Sequence, residues 1–113
     1  MDRIEYYRAA IKSVLKEYAN RFRHNKQQAV EVIAVCDDVA DTYAIVNLGW
    51  QGDRRTNITS VLMRIVNGKI WVEEDATMYR FVDELLDQGI QKDEIVLAFK
   101  APGIRPYTDF AVA

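Results

Sequence analysis

The chain has 113 residues, half of them apolar, which is the size of one domain able to bury roughly two thirds of its unfolded surface around a single core. Its 17 acidic and 15 basic residues leave a net charge of -2, which excludes general electrostatic capture of a phosphate backbone, so that any contact with DNA must be local or borrowed from a partner. The single cysteine, Cys36, excludes an internal disulfide; no apolar run approaches the ~20 residues of a membrane span, and the opening MDRIEYYRAA lacks the build of a secretory signal, so a cytoplasmic chain with no membrane association is expected.

Ile4, Tyr7, Ile11, Val14, Leu15, Tyr18 and Phe22 recur at steps of three and four, which predicts an amphipathic helix from about Arg3 to Phe22, with Asp2 as its cap and Glu5 three residues on. His24 follows in the polar stretch RHNKQQ, where a cation suits the negative end of the helix dipole. Val30 to Cys36 reads as a first strand, DDVAD as a turn and Tyr43 to Trp50 as a second strand. After QGDRR, a third strand runs from Thr56 to Val66. Asn67-Gly68 is the sequence's strongest hairpin signal, because both central positions of a type I′ turn need positive φ, and Lys69 to Glu74 is then strand four. Met78, Phe81, Val82, Leu85 and Leu86 predict a second helix over Thr77 to Gln88, closed by a left-handed Gly89. Ile95 to Phe99 reads as a short buried fifth strand, and Pro102-Gly103 opens a tail ending RPYTDFAVA, too apolar to trail freely in water. The expected fold is α+β: one domain over residues 1–113, with an N-terminal helix, a four-stranded antiparallel meander, a second helix, a final strand and a docked C-terminal tail.

The two-residue turn pairs Ile65 with Ile70, Arg64 with Trp71 and Met63 with Val72. Val61, Met63, Ile65, Ile70 and Val72 then share one apolar side, and Leu62, Arg64, Val66, Lys69, Trp71 and Glu73 the other. Registers suggested by the earlier loops add Ile33, Val35, Tyr43 and Ile45 to that second, mixed side, leaving it too apolar to face water uncovered. One helix on each side of the sheet is the expected cover; part of a second subunit or partner is the alternative.

Few residues suggest chemistry. One His and one Cys do not make a metal site, Asp37, Asp38 and Asp41 read as turn residues, and no phosphate loop, HExxH or GxSxG is present, so neither cofactor nor catalytic residue is expected. Arg54 and Arg55, with Trp50 just before them, form a local candidate for gripping an acidic group or a base, and a solvated hairpin tip accounts for them as well. Trp71 opposite Arg64 invites a cation–π contact on the second side. In the tail, Arg105, Tyr107, Thr108 and Phe110 are candidates for docking, onto their own domain or onto a neighbour.

Taken together and in order, Gly49-Trp50 before an arginine turn, NGKIWV at Asn67 to Val72, ELLDQGIQKDEIVLAF from Glu84 to Phe99 and the ending PGIRPYTDFAVA resemble the XisI family of cyanobacterial fdxN element excision controlling factors. The resemblance runs from the first helix to the last residue, and the closing pattern P-x-x-R-x-x-T-x-F-A-V-A is its most specific part. It implies control of the site-specific excision of a DNA element during heterocyst differentiation, alongside a separate recombinase, by a non-enzymatic accessory chain with a XisH-like protein as its partner. Self-association into a homo-oligomer is a further expectation. Gly49, Trp50, Arg105, Thr108 and Phe110 match the family pattern without an assigned role. A direct DNA-binding regulator using Arg54, Arg55 and Lys69 is the alternative, and a small-ligand or hydrolytic site between sheet and tail a third.

Overall fold

The computed structural model describes residues 2–23 and 29–113, so the expectation for His24 lies outside the described residues. Helix α1 spans Arg3–Arg23, strands β1 to β4 span Val30–Asp37, Thr42–Gln51, Arg54–Val66 and Lys69–Asp75, helix α2 spans Phe81–Asp87, and β5 spans Ile95–Leu97. The sheet order is β1-β2-β3-β4-β5; the first four strands form the expected antiparallel meander, and α2 provides the crossover that lays β5 parallel to β4.

Helix α1 begins at Asp2, whose carboxylate accepts the Ile4 amide at 3.2 Å. Its Tyr7, Ile11, Val14 and Leu15 are buried against Tyr43, Ile45, Val61, Met63, Ile70 and Val72 of the sheet, and Phe81 and Leu85 of α2 join the same cluster. Both helices therefore cover one side of the sheet, which corrects the expectation of one helix per side. Ion pairs tie α1 to the neighbouring turns: Arg8 to Asp41 at 2.7 Å, Lys12 to Asp38 at 2.7 Å, and Arg3 to Glu94.

The Asn67-Gly68 turn has both residues at positive φ and sets the predicted register, Ile65 to Ile70, Arg64 to Trp71 and Met63 to Val72. Tyr43 and Ile45 correct the expected sides. The tight Gly52-Asp53 loop pairs Gln51 with Arg54 and Val46 with Thr59, but Ile45 pairs with Val61, leaving Ser60 as an extra residue in β3. That bulge shifts the register by one, and a one-residue shift turns every later side chain over, so Tyr43 and Ile45 lie in the core opposite Met63 and Val61. Ile33 and Val35, paired with Val46 and Ala44, stay on the second side as expected.

The predicted start of the second helix is also corrected. Asp75 accepts hydrogen bonds from the Thr77 amide and hydroxyl, and the Thr77 hydroxyl accepts the Tyr79 amide at 3.3 Å; these local bonds compete with a helical turn, and Arg80 then takes a left-handed conformation before α2 begins. Met78, read as part of the apolar stripe, is 96% exposed. The far end agrees with the prediction. Gly89 sits at φ 90, its amide bonds Leu86 and the Ile90 amide bonds Leu85, the paired closure of a Schellman motif.

β5 is shorter than predicted because the Ala98 and Phe99 amides both turn to the Val72 carbonyl. The tail folds back on its own domain: the Ala111 amide donates to Ile95 at 2.9 Å, a bridge that pairs Ala111 with Val96. Among the described residues, no helix is long and apolar enough to cross a membrane.

Candidate protein-binding surface

The side of the sheet away from the helices carries Ile33 and Val35 of β1, Ala44, Val46 and Leu48 of β2, Leu62 and Val66 of β3, and Trp71 of β4. Strand residues present alternate side chains to the two sides, and β-branched and aromatic types favour the pleated backbone, so strands rich in them stay apolar on both sides when the intervening positions are not polar. At one end this side is covered. Val96 of β5 is fully buried beside half-buried Trp71, and the Arg105 guanidinium lies 5.4 Å from the Trp71 ring. Arg105 also donates to the carbonyls of Lys100 at 3.0 Å and Ala98 at 3.1 Å. Arg105, not Arg64, thus stacks on Trp71; Arg64 points to Glu73 at 3.5 Å, a half-exposed pair of small energetic weight.

Beyond the tail, the face over β1, β2 and β3 has no helix or loop across it among the described residues. Ile33, Ala44, Val46, Leu48 and Leu62 are half-buried, and Val35 is 47% exposed. Such an apolar surface, edged by Glu31, Asn57, Thr59, Arg64 and Glu73, is of the kind that macromolecular partners bury.

The nine candidate residues fall into two groups and a link. Trp50, Arg54 and Arg55 stand at the β2–β3 tip, all exposed, with the Arg55 guanidinium 5.3 Å from the Trp50 ring and bonded to the Gly49 carbonyl at 3.4 Å. Trp71, Arg105, Tyr107, Thr108 and Phe110 lie at the other end of the long β3 strand, roughly 30 Å away at 3.3 Å per residue. Arg64 stands on the open face between them. Within the second group, the Thr108 hydroxyl donates to the Arg105 carbonyl at 2.8 Å and accepts the Phe110 amide at 3.2 Å, while Phe110 packs against the core. These three hold the tail in place. Tyr107 is 88% exposed and is free to meet a partner.

Gly49 has a local explanation. A Cβ there would stand 2.2 Å from the Ala29 carbonyl oxygen, so only glycine lets β1 begin this close to β2. The three turn carboxylates are likewise consumed internally: Asp37 accepts the Val39 and Ala40 amides, Asp38 accepts the Tyr43 hydroxyl at 2.7 Å and pairs with Lys12, and Asp41 pairs with Arg8. The bonds from Lys12 and then Tyr43 hold the Asp38 carboxyl below its ordinary range. Cys36 is half-buried, and that burial raises its thiol pKa, which lowers its reactivity at neutral pH. No group of three or more His, Cys, Asp or Glu able to hold a metal ion occurs among the described residues. A groove of about 570 Å³ opens between the end of α1 and the β2–β3 tip, lined by Tyr18, Phe22, Val32, Asn47, Trp50 and Ile58. It lies on the helix side, not between sheet and tail.

These features define a small α+β domain whose tail closes one edge of its sheet and whose apolar face over β1, β2 and β3 stays open among the described residues. The chain belongs to the XisI family: the family model described as XisI protein matches residues 1–112. The crystal structure of the fdxN element excision controlling factor XisI from Anabaena variabilis ATCC 29413 is similar over 99% of this chain and 100% of that one, at 35% identity and a TM-score of 0.85. A XisI-like protein from the same strain is similar over 97% of this chain and 99% of its own, at 34% identity and a TM-score of 0.89. No curated protein matches the sequence.

Proposed function

We propose that this chain is a non-enzymatic accessory factor in the excision of a DNA element, and that it acts by binding a partner protein, of the XisH type, on the open face of its sheet. The observation that carries this reading is the uncovered apolar surface of Ile33, Val35, Val46, Leu48 and Leu62, beside a tail that covers only the Trp71 end. Family membership and the relative described as an excision controlling factor supply the biological setting. The net charge of -2 favours a protein partner over DNA as the first contact. The test is titration calorimetry with a purified XisH-family protein. Binding at micromolar concentration is expected, weakened about tenfold or more by Val46→Glu, which sets a charge in the middle of the face. No heat and no copurification with a folded partner would remove the reading.

Arg54 and Arg55 support a second reading, direct DNA contact, because both are exposed and Arg55 already stacks on Trp50 as it would beside a base. That reading expects DNA affinity which falls steeply with salt and disappears in the Arg54→Ala, Arg55→Ala double variant.

A further inference from the structure

The two edges of the sheet are treated differently. At β5 the tail supplies a cap through the Ala111 amide and the Ile95 carbonyl. At β1 no described residue pairs with the outer edge. The Trp50 amide donates to the Ala29 carbonyl, and β1 and β2 keep one antiparallel register throughout, so Ala29, Glu31, Ile33, Val35 and Asp37 turn their backbone groups toward β2. Val30, Val32, Ala34 and Cys36 therefore turn theirs outward, a row of donors and acceptors in the plane of the sheet, clear of α1 on its face. Soluble proteins blunt such edges with proline, lysine, a bulge or a very short strand. β1 is eight residues long, has neither proline nor lysine, and carries no bulge.

We propose that a second copy of this chain pairs with that edge, the two β1 strands running antiparallel about a two-fold axis so that one sheet continues through both molecules. Three features favour a second copy over a foreign strand. The apolar segment is centred on Ile33, so a two-fold axis there sets Ile33 against its counterpart, Val32 against Ala34, Val30 against Cys36 and Glu31 against Val35, using the segment from Val30 to Cys36 in full. Shifting the axis to Ala34 would set Glu31 against Asp37, a like-charge pair, and shifting it to Val32 would leave Cys36 without a counterpart in the strand, so charge and length together select the first register. Finally, a two-fold contact consumes the free edge of each copy, and the tail denies the other edge to further copies, so assembly closes at a dimer and no filament grows. The apolar faces of the two copies then join across the axis through Ile33 and Val35. This inference concerns the edge of the sheet and is independent of the partner proposed for its open face.

The test combines mass and hydrogen exchange on the full chain. Light scattering at tens of micromolar should give twice the 13.0 kDa of one chain. The Val32 and Ala34 amides should gain protection as concentration rises, while the Ile33 and Val35 amides, already bonded to β2, stay protected throughout. Ala34→Pro removes an outward N–H without touching a β2 bond and should move the dimerisation midpoint about 100-fold higher in concentration or beyond. If that variant is unfolded by circular dichroism, Val35→Lys decides, since Val35 is already half exposed and the change sets two charges beside the axis. A wild-type monomer at 100 µM, roughly the upper end of ordinary dimer affinities, overturns the proposal. So does a dimer whose mass neither folded variant changes, or one that leaves the Val32 and Ala34 amides exchanging freely.

Discussion

Glu94 gathers hydrogen bonds from three directions: the Arg3 guanidinium and the Tyr7 hydroxyl, both on α1, and the Gln91 amide at 3.0 Å. The Arg3 bonds, more than the others and against some cost of burial, hold its carboxyl at about 2 from an ordinary 4.5, while burial first and the Glu94 bond second push the Tyr7 hydroxyl up to about 12. A carboxyl depressed in the folded state contributes stability that is complete above its unfolded value, near 4.5, and is lost as pH falls toward 2. Glu94→Gln keeps the shape and removes the charge. It should lower stability at pH 7 by about 1–2 kcal/mol, a figure held down because Arg3 is half exposed to water. By about pH 2.5 the gap between the two proteins should have largely closed. Urea unfolding at both pH values checks it, and an equal gap at both would show that packing, not charge, is what Glu94 supplies.

Of the two α-helices, α2 is the shorter, with seven residues and an Arg80 entry at φ 67 that has no side-chain cap. A non-glycine residue in that region costs about 1 kcal/mol, and the Arg80–Asp83 pair that accompanies it is too exposed to offset the strain. Arg80→Asn, whose side chain tolerates the left-handed region, should therefore stabilise the protein by about 0.5–1 kcal/mol, read as a rise of a few degrees in melting temperature. A fall would mean that the ion pair outweighs the strain. The same element marks where sequence reading stops. The C-terminal end of α2 was legible because glycine signals a left-handed cap, and the Asn67-Gly68 register because that turn admits one geometry. The start of α2 was not, since side-chain bonds from Asp75 and Thr77 overrode an apolar spacing that continues through them. Nor was the Ser60 bulge, because an extra residue in a strand leaves no mark on composition yet reverses which side Tyr43 and Ile45 occupy. Of the candidate site, Ile33, Val35 and Leu62 were legible by alternation and the Asn67-Gly68 register; Val46 and Leu48 join them only once that bulge is known. Arg105 was legible as a docking residue, but its place over Trp71 depends on a tail path that no local signal specifies.

For the molecule as a whole, the tail decides how many sides of the sheet are open to others. It covers Trp71 and Val96, clamps the Ala98 and Lys100 carbonyls through Arg105, packs Phe110 against the core and occupies the β5 edge with Ala111. Removing residues 105–113 would expose that apolar surface and leave the sheet with a second free edge. Burial of a large aromatic side chain together with the lost Arg105 bonds should cost about 2–4 kcal/mol. The more telling consequence is in assembly: with β1 free on one copy and β5 on the next, pairing becomes head-to-tail and need not close. Light scattering should show species that grow with concentration beyond a dimer. Ala111→Pro, which removes only the amide that bonds Ile95, should reproduce the growth in weaker form with little loss of core packing. Both variants keeping the size and melting temperature of the intact chain would mean that the tail rests on the sheet without guarding its edge, and that closure of the assembly must come from elsewhere in the molecule.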